Sequence, residues 1–280
     1  MTGFQFLWYH GMIPVKEPVV LVETFYNIGC PVSIALLADF HNNIPDPVLE
    51  SLRSHKPKII AIAGDFIFGD MPKGWRIKIK ENFRALKLLQ ECPDIAPTFV
   101  SLGNHEYTLS DEDYEVLRST KVTLLDNTWT NYHGMVIGGL SSPYCKAYQE
   151  FRAKQGGTEQ YPKPIPHIRT WKVTPSLAWL DEFEKQNGYK ILLCHHPEYY
   201  PKYLKDRKID LILSGHCHGG QWRYYSLIHH EMRGFYAPGQ GFFPSLTSGV
   251  HDGKLVISRG LSNPTTIPRI NNPEEIVYIM

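Results

Sequence analysis

The chain reads as an α/β protein, and three features of its sequence predict that class. Short apolar or β-branched runs recur along it, each closed by turn residues, as buried strands are. Helical stretches separate those runs. Every dense cluster of Asp, Asn, His and Gly falls directly after an apolar run, at the carboxyl end of a predicted strand, where α/β sheets gather their ligands.

In chain order, the strand Val32–Ala38 leads into Asp39–Asn43, and Ile59–Ala63 leads into Gly64–Asp65. Thr98–Leu102 precedes Gly103–Glu106, Lys190–Cys194 precedes His195–Pro197, and Leu211–Ser214 precedes Gly215–Gly220. Between them, Arg76–Gln90 carries a rough apolar face and predicts a helix. Ser110 with Asp113 forms a capping-box start for a helix through Leu117. Thr174 as cap, Pro175 at the first helical position and Gly188 past the last turn frame another helix. Asn131–Gly134 predicts a hairpin turn between Thr128–Tyr132 and Met135–Leu140. No repeat or low-complexity linker divides residues 1–280, so a single domain is expected.

The bulk composition excludes several functions. With 29 Lys and Arg against 28 Asp and Glu, the net charge of +1 lacks the basic field of a nucleic-acid binder, which disfavours a nuclease. Five scattered cysteines without a C-x-x-C pair argue against a disulfide framework and for a reducing compartment. The N-terminal stretch has neither a basic n-region nor a long apolar core, and no run has membrane-span length. A cytoplasmic protein without a membrane span is therefore expected.

The chemistry lies in five clusters: Asp39-Phe40-His41, Gly64-Asp65, Gly103-Asn104-His105-Glu106, His195-His196-Pro197 and Gly215-His216-Cys217-His218. In an extended segment, residues two apart point the same way, which would pair Asp39 with His41 and His216 with His218, and turn Cys217 away. Carboxylate, imidazole and amide oxygen together suit borderline divalent ions rather than calcium. His195 and His196 are both possible ligands. Glu106 reads as a supporting or helix-start carboxylate.

These five elements, in this order, resemble the motif series D-x-H, G-D, G-N-H-[DE], H and G-H-x-H of the calcineurin-like metallophosphoesterase superfamily. The resemblance runs from about Pro31 onward and leaves residues 1–30 as an unmatched extension. Downstream, His218-Gly219-Gly220-Gln221, Gly234-Phe235-Tyr236, Ile257-Ser258-Arg259-Gly260 and Pro273-Glu274-Glu275-Ile276 are similar to the bacterial YkuE/YaeI-like branch.

The resemblance implies a four-layer α/β/β/α sandwich of two mixed sheets with two divalent ions, manganese, iron or zinc, at the strand-end rim. Asp39, His41, Asp65 and His218 would bind one ion. Asp65, Asn104, His195 and His216 would bind the other, with Asp65 bridging. Pro197 after the histidine pair matches a pattern in which the first binds, favouring His195. His105 would be the catalytic histidine that is not a ligand, protonating the leaving oxygen or stabilising the transition state. The ions would clamp a phosphoryl group and make hydroxide available from water near neutral pH.

The implied activity is hydrolysis of a phosphodiester or pyrophosphate bond in a small molecule. Its rivals are a phosphomonoesterase and a non-catalytic scaffold that binds a protein partner; intact ligand positions argue against the scaffold. Phe68 and Gly69 stand where Ser/Thr protein phosphatases carry Asp and Arg, which argues against that class. The irregular stretch 146–171, rich in Pro and carrying Lys154, Lys163, His167 and Arg169, is either a substrate lid or a solvated loop.

Overall fold

The computed structural model describes residues 21–68, 70–71, 75–76, 78–143, 145–146 and 172–280. The expected lid, apart from Lys146, and residues 1–20 of the N-terminal extension lie outside the described residues.

Among the described residues eighteen strands follow in chain order: β1 Val22–Tyr26, β2 Ile34–Leu37, β3 Ile59–Ala63, β4 Asp70–Met71, β5 Trp75–Arg76, β6 Thr98–Ser101, β7 Thr123–Leu124, β8 Thr128–Tyr132, β9 Met135–Leu140, β10 Tyr189–Cys194, β11 Leu211–Ser214, β12 Arg223–Ser226, β13 Glu231–Gly234, β14 Tyr236–Ala237, β15 Gly241–Phe242, β16 Gly249–His251, β17 Leu255–Ile257 and β18 Glu275–Ile279. One six-stranded sheet has the order β1-β18-β2-β3-β6-β7, and the other β16-β17-β11-β10-β9-β8. Both are mixed. β2, β3, β6 and β7 run parallel, while β18 lies antiparallel to β2. In the second sheet β17, β11, β10 and β9 run parallel, flanked by antiparallel β16 and β8.

Strand residues alternate between faces, so each central strand feeds two cores. Ile34, Leu36, Ala61 and Ala63 meet Ile137, Ile191, Leu193 and Leu213 between the sheets. On the outer side of the first sheet, Ala35, Leu37, Ile60 and Ile62 pack on Leu49, Leu52, Leu88 and Leu117 from the helices Asp46–His55, Phe83–Ile95 and Asp111–Ser119. On the outer side of the second, Val136, Leu192 and Ile212 pack on Leu180, Phe183 and Leu204. Three separate cores require four layers, and the α/β/β/α sandwich follows. Both sheets are covered on both faces, which is why their central strands are apolar throughout rather than alternating.

The hairpin Thr128–Tyr132/Met135–Leu140 forms with the strand bounds anticipated, and His133 and Gly134 both take the positive φ of a primed turn. Ser110 and Asp113 cap their helix reciprocally. Two helix boundaries differ from the sequence reading. The helix expected over Arg76–Gln90 begins at Phe83, because its start is fixed from a distance: Asn42 Oδ1 accepts the N–H groups of Arg84 and Ala85. The helix expected from Thr174 begins at Leu180. The Val173 carbonyl is engaged by the Tyr199 hydroxyl, and Trp179, stacked on Trp129, precedes the first turn. Residues 22–26, within the unmatched extension, supply edge strand β1, parallel to β18.

Candidate metal centre

The site is assembled by topology. β2, β3 and β6 are adjacent parallel strands in one sheet, and β10 and β11 are adjacent parallel strands in the sheet facing it. Their carboxyl ends open on the same rim, and all five clusters leave there. Backbone bonds join the turns: Asp39 N–H to the Gly64 carbonyl at 3.2 Å, His41 N–H to Asp65 at 3.0 Å, and Gly215 N–H to His195 at 3.1 Å.

The turns are not extended, contrary to the sequence reading. Asp39, His41, Asp65, His216 and His218 all have φ between 42° and 70°, in the left-handed region. Asp and His enter that region more readily than bulkier residues, at a cost of about 1–2 kcal/mol each, and such strain collects at functional sites. His216 and His218 therefore converge through two left-handed residues flanking Cys217. The Cys217 thiol is buried beside the Gln240 amide, 3.3 Å away, and belongs to none of the metal-capable groups among the described residues.

Close approach leaves no room for side chains at two glycines. A Cβ on Gly103 would stand 2.2 Å from Asp65 Oδ1, and one on Gly215 would stand 2.6 Å from Asp39 Oδ2.

Three groups of potential ligand atoms form around two buried carboxylates: Asp39 with His41 and His218, Asp65 with His195 and His216, and Asp65 with His41 and His105. His195 Nε2 lies 3.1 Å and His41 Nε2 3.8 Å from Asp65 Oδ2; His218 Nε2 lies 3.5 Å from Asp39 Oδ1. Asp65 thus touches both sets that the resemblance implies. Asn104 carries a buried side-chain oxygen without a hydrogen-bond partner. His105 stands beside His41, ring centroids 4.5 Å apart, with its Nε2 3.9 Å from Asp65 Oδ2. It is the more open of the two, 23% exposed at its side chain against 1% for His41.

The surroundings select histidine atoms. His195 Nδ1 donates to the Ala63 carbonyl at 2.8 Å, while His218 Nδ1 lies 3.2 Å from the Ser262 carbonyl and 3.0 Å from Arg269 Nη2. In neutral His195 the Ala63 bond selects the tautomer that turns an Nε2 lone pair toward the carboxylates, as in metal-ligating histidines. His196 differs: its two ring nitrogens are engaged by Glu198 at 3.0 Å and by Ser142 at 2.6 Å.

Burial sets the protonation states. It holds His41 and His218 well below the ordinary imidazole value and His216 at about 3, so all three are neutral. For His195 burial acts the same way, but Asp65 and Asp39 outweigh it and raise it to about 10. Burial raises the Asp39 carboxyl to about 7. It also acts to raise Asp65, but His195 and His105 outweigh it and hold Asp65 well below the usual carboxylate range. The chain fits divalent metal: His41 Nε2 and Asn104 Oδ1, buried without hydrogen-bond partners, stand with His195 Nε2 around two carboxylates.

Three residues support the ligands: Glu106, read as a supporting carboxylate from the sequence, and Glu198 and Arg269, which had no signal there. Glu106 accepts the N–H groups of Asp65, Ile67 and Gly103. Glu198, buried, bonds His196 and reaches to 3.6 Å from His216 Nε2. Arg269 donates to the Ser262 carbonyl beside His218. Tyr199 and Tyr200 are core residues.

The model of the calcineurin-like phosphoesterase family matches residues 32–220. Phosphodiesterase YaeI of Escherichia coli K12 is 26% identical over 71% of this chain and 65% of its own length. YpbG of Bacillus subtilis is 28% identical over 69% of this chain and 64% of its own. The B. subtilis metallophosphoesterase YkoQ is 25% identical over 88% and 82%. The match therefore spans a little under two thirds of the first two relatives. Among solved structures, TT1561 of Thermus thermophilus superposes with a TM-score of 0.42 at 14% identity, over 75% of this chain and 91% of that one. No helix among the described residues is long and apolar enough to cross a membrane.

Proposed function

Because the chain belongs to the calcineurin-like phosphoesterase family, a family of metal-dependent phosphoric-ester hydrolases, we propose that it hydrolyses a phosphodiester or pyrophosphate bond of a small molecule. The observation that carries this reading is Asp65, which stands between two histidine groups on the common rim of two sheets. On this assignment Asp39, His41, Asp65 and His218 hold one divalent ion, and Asp65, Asn104, His195 and His216 hold a second. Manganese, iron or zinc suits the donors. Two such ions supply Lewis acidity toward a phosphoryl oxygen and hydroxide near neutral pH.

The chain's own residues do the rest. The Ala63 carbonyl keeps neutral His195 in the tautomer that turns Nε2 toward the carboxylates. Asp39 and the histidines at positions 41, 195 and 216 are buried and shield the nest from water. His105, the more exposed imidazole, moves a proton to the leaving oxygen. Phe68 lies beside it, ring centroids 6.0 Å apart, so an apolar ring stands where protein phosphatases place an Asp. Gly69 stands where they place an Arg, and a monoanionic diester needs less added positive charge than a dianionic monoester.

The test compares bis(p-nitrophenyl) phosphate with p-nitrophenyl phosphate on the manganese-loaded protein, followed by nucleotide sugars and phospholipid-headgroup diesters. A higher kcat/KM for the diester is expected; a higher value for the monoester would return the reading to a phosphomonoesterase. Metal analysis of Asp65→Ala runs in parallel. Both ions should be weakened, and two fully occupied sites in that variant would overturn the ligand assignment.

A further inference from the structure

Beside the candidate metal centre, four buried polar side chains from three separate segments form a chain of contacts: Ser142, His196, Glu198 and His216. Ser142 follows strand β9, and its N–H donates across to the Leu102 carbonyl of the facing sheet at 2.9 Å. His196 and Glu198 leave the end of β10, and His216 leaves the end of β11.

Chemistry gives the chain its direction. A carboxylate only accepts, so His196 Nδ1, 3.0 Å from Glu198 Oε1, carries the hydrogen of that bond. The neutral ring then accepts at Nε2 and takes the Ser142 hydroxyl at 2.6 Å. Both nitrogens of His196 are thereby used, and its ring holds Glu198 in place.

Glu198 Oε1 also stands 3.6 Å from His216 Nε2. Its Oε2 is buried without a hydrogen-bond partner among the described residues. Its ion-pair partners there are these two histidines, and no Lys or Arg is among them. Burying a carboxylate is costly unless positive charge balances it. A carboxylate kept against two imidazoles points to a charge that arrives with a ligand of one of them. Of the two rings, His216 also groups with Asp65 and His195.

The 3.6 Å approach is longer than a hydrogen bond, yet it decides where the hydrogen of neutral His216 sits. With hydrogen at Nε2 the ring turns a positive edge to the carboxylate; with hydrogen at Nδ1 it turns a lone pair there. The first arrangement leaves the Nδ1 lone pair for an ion, and a carboxylate behind a ligating imidazole raises its basicity. We propose that Glu198 is a positioning residue for metal binding: buttressed by His196 and Ser142, it sets the tautomer of His216 and balances the charge of the ion held there. This role rests on the assignment of His216 as a ligand.

The test is calorimetric titration of the chelator-treated full chain with manganese, for the wild type, Glu198→Gln, Glu198→Asp and His216→Ala. Glu198→Gln keeps the size of the side chain and removes its charge. Its affinity for one ion should fall by roughly ten- to a hundredfold, with the other ion and the metal-free Tm near wild type. Glu198→Asp, which restores the charge on a shorter arm, should recover part of the loss. Long-range proton–nitrogen correlation spectra of the metal-free protein should show His216 protonated at Nε2 in the wild type and shifted toward Nδ1 in Glu198→Gln.

An unchanged tautomer in Glu198→Gln would overturn the proposal, as would wild-type affinity in that variant while His216→Ala loses an ion. A lowered metal-free Tm with affinity intact would do the same, leaving Glu198 a structural acceptor. A third ion per chain that Glu198→Gln removes would also overturn it, making Glu198 a ligand with His196 and His216. Two fully held ions in His216→Ala would instead refute the ligand assignment on which the role rests.

Discussion

Glu106 accepts the backbone N–H of Asp65 at 2.8 Å, so the residue at the centre of the candidate metal site is held by a carboxylate from the next strand's turn. The same side chain accepts from Gly103 at 2.6 Å and Ile67 at 3.1 Å, and is fully buried. Burial and nearby Asp65 push its carboxyl up to about 8, against the lowering effect of the donated bonds.

Glu106→Ala leaves three buried N–H groups without their acceptor, each costing roughly 1–3 kcal/mol. A large fall in Tm is expected, with loss of metal from a turn that no longer holds Asp65. Glu106→Gln keeps one acceptor oxygen and should fall between. Differential scanning calorimetry with metal analysis checks both; a Glu106→Ala protein with unaltered Tm and metal content would show that the anchor is dispensable.

Metal uptake should release protons, and the source follows from the shifts. His195, raised to about 10, is protonated in the metal-free protein at pH 8 and must lose that proton to bind an ion. Affinity should therefore rise with pH up to about 10. Below about 7 the Asp39 carboxyl also takes a proton, and affinity should fall more steeply there. His41, His216 and His218, already neutral, add little competition near neutrality. In the metal-free protein, the stability His195 gains from the carboxylates is full below its unfolded value of about 6.5 and is lost as pH rises through about 10. Calorimetric titration in buffers of different ionisation enthalpy counts the protons; uptake without release at pH 8 would contradict this account.

His105→Gln should leave both ions bound, since the proposed ligand sets do not include it. With a poor alkoxide leaving group, kcat should fall by on the order of 10²–10⁴. With p-nitrophenolate, already stable as an anion, the loss should be much smaller. Equal losses on both substrates would favour charge stabilisation over proton donation. Loss of an ion would make His105 a ligand, as its proximity to His41 and Asp65 also permits.

Arg259 and Glu275 form a buried ion pair, Nη2 to Oε1 at 2.9 Å, and Glu275 also accepts from Thr24 Oγ1 and the Arg259 N–H. Glu275→Ala strands a guanidinium and should cost about 3–5 kcal/mol. Replacing both residues with Met should restore most of that loss. Urea unfolding of the single and paired variants measures the difference, and a mild Glu275→Ala would show that water reaches Arg259.

The strand ends were legible because the chemistry is local: apolar runs of strand length stop at Asp39, Gly64, Gly103, His195 and Gly215. What was not legible depends on residues distant in sequence. Asn42 sets the start of the helix Phe83–Ile95 across 42 positions, which no periodicity within that helix reveals. The left-handed backbone at the candidate ligands follows from neighbouring turns crowding one another, as at Gly215 against Asp39. Glu198 bonds His196 two positions before it, but its reach to His216 comes from tertiary approach. Strand β1 had a signal, the β-branched and aromatic residues Val22, Thr24, Phe25 and Tyr26, but it lay ahead of the first motif.

Strand β18 lies between β1 and β2, so a segment from the far end of the described chain fills a gap between the first two strands of the same sheet. Thr24 and Glu275, bonded side chain to side chain, are 251 residues apart. During synthesis both flanking edges are made early, and they stay unpaired until nearly the whole described chain has left the ribosome. Contacts of such long loop closure form slowly and leave strand edges open to wrong partners. β18 also leads back from Gly260, which packs against Asp39. A nascent chain therefore carries all the clusters of the metal centre well before it can seat Asp39, and ion capture becomes a late event in its maturation.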